Sequence, residues 1–405
     1  MLSWFLRVFA LLFLSRLAIA KGTVSTADML PEALIVDMDP EMRDLDEDFS
    51  QYSTMTMKSA SRETTREKFN WIERQLFPRL VTVGTAYTAG ATTVILSAGH
   101  GANVRVGDVL RSMARGDAMW VTAVATDTLT VVPQIGSAVQ AAGSVGDTLL
   151  IMSNAAAQGA DFGQTAVLLP TLGYNYTQIF RHGYTFSRTA TKVAKYSGRE
   201  PATESAAKGV EHKRAIEYSG FWGARDLKTD PLTGEPVGFT GGLNEFIVSN
   251  RSDQSGGFTV DTVDAFLQTV LQHSSRNIAW YLAPVAASKI SKFNRGGQGT
   301  AWRPDPQNVA GLKVDAFMSG VYGYEIPVVV KKDWNDFPTT LKQYGGWTFI
   351  VDHDRIAWRY LTDSQTKLLT GRASNGADRV SEEYLTEGGW EINNQANHGI
   401  IYGIT

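Results

Sequence analysis

One stretch of the chain constrains the fold more than any other. Val263, Phe266, Leu267, Val270 and Leu271 recur at i, i+3, i+4, i+7 and i+8, which places them on one apolar face of a helix over residues 261–272. Asp261 or Thr262 can cap that helix, and Asp264 complements its dipole. Residues 278–282, Ile-Ala-Trp-Tyr-Leu, then read as a buried strand, and Pro284 opens a second helix carrying Val285, Ile290 and Phe293. Helix, strand and helix in succession call for helices packed on a sheet, an α+β or α/β domain.

Around this body the sequence changes character several times. Residues 21–80 form a polar arm with an acidic stretch, Asp37, Asp39, Glu41, Asp44, Asp46, Glu47 and Asp48, and an aromatic end at Phe69 and Trp71. Exposed aromatics on such an arm need a partner surface. From 82 to 153 charge thins out, and short β-type runs at 93–96, 106–110, 119–124, 129–132 and 149–152 alternate with turn signals at 99–101, 115–117 and 146–147. That spacing predicts a small all-β module. Residues 174–180 and 184–191 read as an extended two-stranded hairpin with little core of its own, which must lie on something else. A helix follows from Pro201 towards Gly220, supported by the Glu204–Lys208 spacing. The C-terminal part is β-rich, with runs at 325–330, 347–351, 356–361, 390–392 and 400–404 and a surface loop at 371–376.

Motifs that carry chemistry are missing. No phosphate loop, dinucleotide fingerprint, nucleophile elbow or H-E-x-x-H occurs. The glycine run at 296–299 opens no helix and reads as a flexible loop. Asp44-Leu45-Asp46-Glu47-Asp48 imitates the start of a calcium loop, but Phe49 stands at the sharp-turn position and Met55 where the bidentate Glu belongs. Asp352-His353-Asp354 is the one tight His/carboxylate cluster, in what reads as a plain hairpin connection between two strands. The histidines at 100, 182, 212, 273, 353 and 398 are scattered, and with no cysteine there is no thiolate chemistry. The sequence thus predicts no enzyme, no cofactor and no metal site. A net charge of −3 argues against a dedicated nucleic-acid binder. The local basic run Arg181, Arg188, Lys192, Lys195 and Arg199 could contact phosphates. The preferred reading is a basic edge that meets an acidic neighbour, such as the stretch at 37–48 of another copy.

Residues 1–20 have the form of a secretory signal peptide, with Arg7, an apolar run at 8–14 and Ala18-Ile19-Ala20. The alternative is a start at or near Met29. No other segment approaches membrane-spanning length.

Several segments, in order, resemble a known family. Phe69-Asn70-Trp71 with Pro78 is similar to the arm of tailed-bacteriophage major capsid proteins. Residues 106–109, 120–122 and 128–131 resemble the β insertion that follows it, and residues 174–180 resemble their extended loop. Gly241-Gly242-Leu243 with Phe246-Ile247, residues 382–385 and Asn397-His398-Gly399-Ile400 resemble their later segments. The resemblance covers about residues 28–405 and implies an α+β, Hong Kong-97-like capsid fold with an inserted small all-β domain. It implies an N-terminal arm at 28–81, the inserted β domain at 82–153 and an extended loop at 160–200, while residues 1–27, a signal-like or misassigned extension, depart from it. A spine helix and peripheral domain would occupy 201–240, an axial domain 241–345, and strands completing both domains 346–405. The implied function is self-assembly into an icosahedral head enclosing a phage genome, in the virion after assembly in the host cytoplasm. Partners would be other copies in hexamers and pentamers, portal, scaffold or decoration proteins, and packaged double-stranded DNA held non-specifically, with no membrane. Phe69, Trp71, Tyr174, Tyr176, Phe180, Arg181 and Arg188 are the candidate contacts between subunits. An encapsulin-like compartment is the alternative shell, and a secreted β-rich hydrolase or adhesin the alternative from another class.

Overall fold

The structure is a computed structural model that describes residues 50–136, 138–159, 168–193, 200–295, 302–309, 312–318, 323, 325–336 and 346–404. The extension at 1–27, the acidic and calcium-like stretch at 37–48, Lys195, Arg199 and the glycine run at 296–299 lie outside these residues.

Helix α1 (Gln51–Ser59) leads into strands β1 (Ser61–Thr64) and β2 (Lys68–Glu73). Next come β3 (Leu80–Thr85), β4 (Thr93–Leu96), β5 (Asp108–Ser112), β6 (Ala118–Ala125), β7 (Thr128–Val132), the short β8 (Gln134–Ile135) and β9 (Ala138–Val139), and β10 (Thr148–Asn154). Strands β11 (Thr171–Tyr176) and β12 (Gln178–Ser187) precede helices α2 (Arg188–Lys192) and α3 (Glu200–Trp222). A hairpin of β13 (Asp226–Thr229) and β14 (Pro236–Phe239) is followed by α4 (Leu243–Phe246), β15 (Arg251–Asp253), α5 (Val260–Leu271), β16 (Ile278–Leu282) and α6 (Pro284–Arg295). The chain then runs through β17 (Trp302–Val309), β18 (Leu312–Met318), β19 (Glu325–Val330), β20 (Thr348–Asp352), β21 (Ile356–Leu361), β22 (Lys367–Leu369), β23 (Arg379–Ile392) and β24 (Gly399–Tyr402).

A seven-stranded mixed sheet, ordered β15-β24-β20-β16-β19-β18-β17, forms the centre of the body. Its middle strands are buried on both faces, and alternate residues enter different cores. Trp280 and Ile350 pack with Val263, Leu267 and Ile290 of α5 and α6, whereas Tyr281 and Phe349 pack with Phe221, Trp334 and Trp390 on the opposite side. This two-sided burial is why residues 278–282 form an unbroken apolar run. Helix α5 starts before Asp261, because Thr259 is its cap. Its hydroxyl accepts the Thr262 N–H while the Thr262 hydroxyl accepts the Thr259 N–H, a reciprocal capping box.

A second sheet, β1-β21-β23-β12 with β22 also on β23, carries α3 and α1. Helix α3 runs close to the expected 201–220, and Gly220 lets it approach α1. A Cβ there would lie 2.4 Å from the Tyr52 ring and 3.1 Å from Trp390. Among the described residues no helix is long and apolar enough to cross a membrane.

Strands β3, β4, β5, β6, β7 and β10 close into a barrel with its own core of Val81, Val94, Leu110, Met119, Leu129 and Leu149. The barrel interrupts a two-stranded ribbon. The chain enters it from β2 and leaves towards β11, and β2 and β11 pair antiparallel from Lys68↔Tyr176 to Glu73↔Thr171.

Two connections differ from the sequence expectation. Residues 174–180 and 184–191 do not form a hairpin with each other. Strands β11 and β12 are separated by Thr177 alone, which supplies no turn chemistry, so the chain passes from one sheet to the next without reversing. Thr177 is held there by its N–H on the Glu67 carbonyl and its hydroxyl on Glu387. The extended pairing is instead between β12 and β23, from Gln178↔Gly388 to Ser187↔Arg379. Likewise β20 and β21 are not a hairpin, because they belong to different sheets. Asp352 bends the chain across, accepting the Ser275 N–H and hydroxyl at 2.7 and 2.6 Å and the Asp354 N–H at 3.1 Å.

Candidate assembly surfaces

Two ribbons carry the residues singled out as contacts. In the β2/β11 ribbon, period-two alternation sends Phe69 and Trp71 to one face. That face is not exposed. Phe69 and Trp71 are buried within the subunit, Trp71 packing on Phe246 and on Gly173, where a Cβ would come within 2.4 Å of the indole. Phe180 is buried too, beside Trp358. The expectation that these three aromatics are exposed is therefore corrected. Their polar surroundings in sequence reflect the outer face of the same strands.

Tyr174 and Tyr176 lie on that outer face, half-buried. Lys68 Nζ sits 4.1 Å from the Tyr174 ring centroid, and the Arg225 guanidinium lies at the same distance from it. Such cation–π contacts fix the rings while leaving part of their surface open. Beyond them sequence reasoning missed a more exposed set. Ile72 and Leu172 are direct cross-strand partners, 72% and 64% exposed, and Leu76 and Leu169, in the segments just beyond the ends of β2 and β11, are 89% and 78% exposed.

Two members of the basic run, Arg181 and Arg188, meet carboxylates of the same chain. Antiparallel register sets Arg181 diagonal to Glu383, and the guanidinium donates through Nε and Nη2 at 3.1 and 2.7 Å. Arg372 donates to the other Glu383 oxygen at 2.6 Å, and the two guanidiniums hold that carboxyl below the usual carboxylate range. Arg188 pairs with Asp378 at 2.7 Å.

Asp352 and His353 are structural. His353 is buried, with Nε2 3.0 Å from the Tyr281 hydroxyl and Nδ1 3.4 Å from Thr56 Oγ1. Among the described residues no three His, Cys, Asp or Glu side chains group closely enough to hold a metal ion.

A body of two sheets with a spine-like helix, from which paired strands extend carrying uncovered apolar residues, is the Hong Kong-97-like fold of tailed-phage capsids. The capsid of the native GTA particle superposes with a TM-score of 0.51 at 10% identity, covering 94% of this chain and 98% of that one. The empty GTA particle gives 0.50 at 10% identity with the same coverage. The SrpI encapsulin complex of Synechococcus elongatus reaches 0.42 at 8% identity over 58% of this chain and 76% of that one, too slight a likeness to argue from. No curated protein sequence matches the chain.

The family model for the SU10 major capsid protein matches residues 22–405, and the chain belongs to that family. It is a structural shell protein of a phage, not an enzyme. That membership sets aside the secreted hydrolase or adhesin.

Proposed function

We propose that this chain assembles with copies of itself, as hexamers and pentamers, into an icosahedral head enclosing the phage genome, and that its two ribbons are the joints. The observation that carries this is the exposed apolar end of the β2/β11 ribbon. Ile72 and Leu172 pair across the strands with Leu76 and Leu169 beyond them, and all four lie open on the isolated subunit. Apolar groups clustered on a ribbon without a core beneath them are an aggregation hazard unless a neighbour covers them. In a closed symmetric shell each copy both offers and receives such a surface. Tyr174 and Tyr176 flank the patch as aromatic anchors. Arg181 and Arg188 act at the rim, where charge sets register more than affinity. Phe69, Trp71 and Phe180 contribute from inside, by holding the ribbons to the body.

In the same reading the barrel, inserted at the end of the ribbon, is displayed on the outside of the shell. Assembly takes place in the host cytoplasm with portal and scaffold or decoration proteins, and the packaged DNA is touched non-specifically.

The test is assembly of the protein with Ile72→Asp and Leu172→Asp, followed by size-exclusion chromatography and negative-stain microscopy. The expected result is a folded subunit with an unchanged melting temperature that no longer forms shells. Shells that form as readily as those of the unaltered chain would refute the role given to the ribbon.

A further inference from the structure

Asn375 stands in a setting of its own among the asparagines. It is the one asparagine in the sequence followed by glycine. Asn375 and Gly376 are the middle residues of a turn between β22 and β23, closed by the Ala377 N–H on the Ser374 carbonyl at 3.0 Å. Gly376 takes φ +82° there, a left-handed conformation that favours glycine. Both residues are exposed, and a Cβ built on Gly376 would meet nothing within 4 Å. Among the described residues neither the Asn375 side chain nor the Gly376 N–H has a hydrogen-bond partner. Other asparagines are tied down. Asn175 Nδ2 donates to Thr240, Gly241 and Trp390, Asn154 Nδ2 to Asp108, and Asn397 Nδ2 to the His273 carbonyl.

These are the conditions under which an asparagine loses its amide. The Gly376 nitrogen, its proton given up to solvent, attacks Asn375 Cγ. The Cγ–Nδ2 bond breaks, and Nδ2 takes up a proton and leaves as ammonia. Water then opens the five-membered imide at either carbonyl, which leaves an aspartyl or an isoaspartyl residue at position 375. One water enters and one ammonia leaves, so the step needs nothing beyond solvent. A side chain on the following residue would crowd the ring closure, and hydrogen bonds or burial would hold the amide away from it. Asn375 has none of these obstacles. Ring closure must rotate its backbone, and the turn opposes that with a single hydrogen bond.

The product alters a neighbour. Ser374, the residue before, has its Oγ 3.5 Å from Arg379 Nη2. Arg379 lines a groove on the β12/β23 ribbon together with Arg181 and Arg372. Those two share Glu383, whereas Arg379 meets no carboxylate among the described residues. A carboxylate at position 375 therefore arises one residue from the Arg379 contact, and guanidinium takes carboxylate in strong charge-assisted hydrogen bonds.

We infer that Asn375 deamidates spontaneously in the folded protein and that the carboxylate so formed pairs with Arg379. The groove on the β12/β23 ribbon thereby gains a negative charge as the protein ages. The reaction lies within one chain, so it can be followed on dissociated subunits and does not depend on whether shells form.

The sequence makes the test direct, because trypsin cuts after Arg372 and Arg379 and releases the turn as one short peptide. Folded full-length protein is incubated at physiological temperature, at neutral and at mildly alkaline pH, and sampled over several weeks. Each sample is digested briefly and read by mass spectrometry, with a zero-time sample to correct for the digestion. The expected result is the mass gain of an amide-to-acid change at position 375. It should accumulate ahead of any other asparagine and severalfold faster at the higher pH, since the attacking nitrogen must be deprotonated. Asn375→Gln should suppress it, because the larger ring closes far more slowly. Labelling of Arg379 by phenylglyoxal should be slower in Asn375→Asp protein than in fresh unaltered protein. An Asn375 that stays intact in the folded protein, while the chain unfolded in urea is modified there in the same buffer, would overturn the inference. Earlier modification of another asparagine would overturn it too. Arg379 labelling indifferent to Asn375→Asp would overturn the pairing.

Discussion

Glu217 and Lys331 form an ion pair at 2.8 Å with both side chains buried, and the same Glu217 carboxylate accepts the N–H groups of Tyr52 and Ser53 at the start of α1. One carboxylate thereby ties the spine-like helix, the arm helix and the segment after β19 together. Its position at the first turn of α1 uses the helix's own unpaired donors and dipole.

Removing one partner of such a pair strands a charge in the interior. Glu217→Ala is expected to cost about 3–5 kcal/mol. Glu217→Gln should cost less than that change, since its amide oxygen can still accept the N–H groups at the start of α1 and Lys331 keeps Asp333 3.8 Å away as a counter-charge. Urea unfolding of the three proteins checks this, and a Glu217→Gln variant worse than Glu217→Ala would contradict it.

Gly220→Ala tests the packing of α3 on α1. Helix propensity alone favours Ala by about 1 kcal/mol. The added Cβ would stand 2.4 Å from the Tyr52 ring, closer than atoms can approach, so the helix must shift. A net loss of about 1–3 kcal/mol is expected in a thermal melt. A gain in stability would show that the two helices do not meet as described.

The buried histidines make stability depend on pH. Burial pushes the imidazoles of His212 and His353 down to about 4, with His182 adding to the effect at His212, and burial lowers His398 as well. The neutral form of His212 is wired into place. Thr386 Oγ1 donates to Thr366, so it accepts from His212 Nε2 at 2.7 Å, which leaves His212 Nδ1 to accept from His182 Nδ1 at 3.1 Å. Each group takes up its proton in the unfolded chain near the ordinary value of about 6.5. The stabilisation they contribute is therefore complete above about pH 6.5 and is lost as pH falls towards 4, by up to about 1.4 kcal/mol per pH unit for each histidine. Urea midpoints measured between pH 7.5 and 4.5 should decline through this window, and a flat profile would contradict the buried, neutral assignment.

The barrel offers a test of modularity. Its core comes from its own strands, and Glu73 faces Thr171 at the end of the ribbon that flanks it. Replacing residues 74–170 with a two-residue Asn-Gly turn should close β2 and β11 into a hairpin and leave the rest of the subunit folded. Far-ultraviolet circular dichroism and a cooperative melt read the outcome; loss of the cooperative transition would show that the body depends on the barrel.

Legibility in the sequence followed locality. Strand β16 was read to the residue because a doubly buried strand declares itself as an apolar run, and most barrel strands were visible between their turn glycines. Thr259 was missed as the cap of α5 because its capping partner is another Thr rather than the usual Glu or Gln. Pairing was the harder matter. Nothing local to residues 174–191 says that β11 pairs with β2 and β12 with β23, some 200 residues away, and those long-range choices decided which aromatics are buried. The uncovered pair Ile72 and Leu172 emerges only once that register is known.

The most direct test of the account is a reconstruction of the shell formed by this chain at a resolution that shows side chains. The ribbons are predicted to lie between subunits, with Ile72, Leu76, Leu169 and Leu172 buried against a neighbouring copy. Finding these four residues still open to solvent in a closed shell would contradict the claim that the ribbons join it.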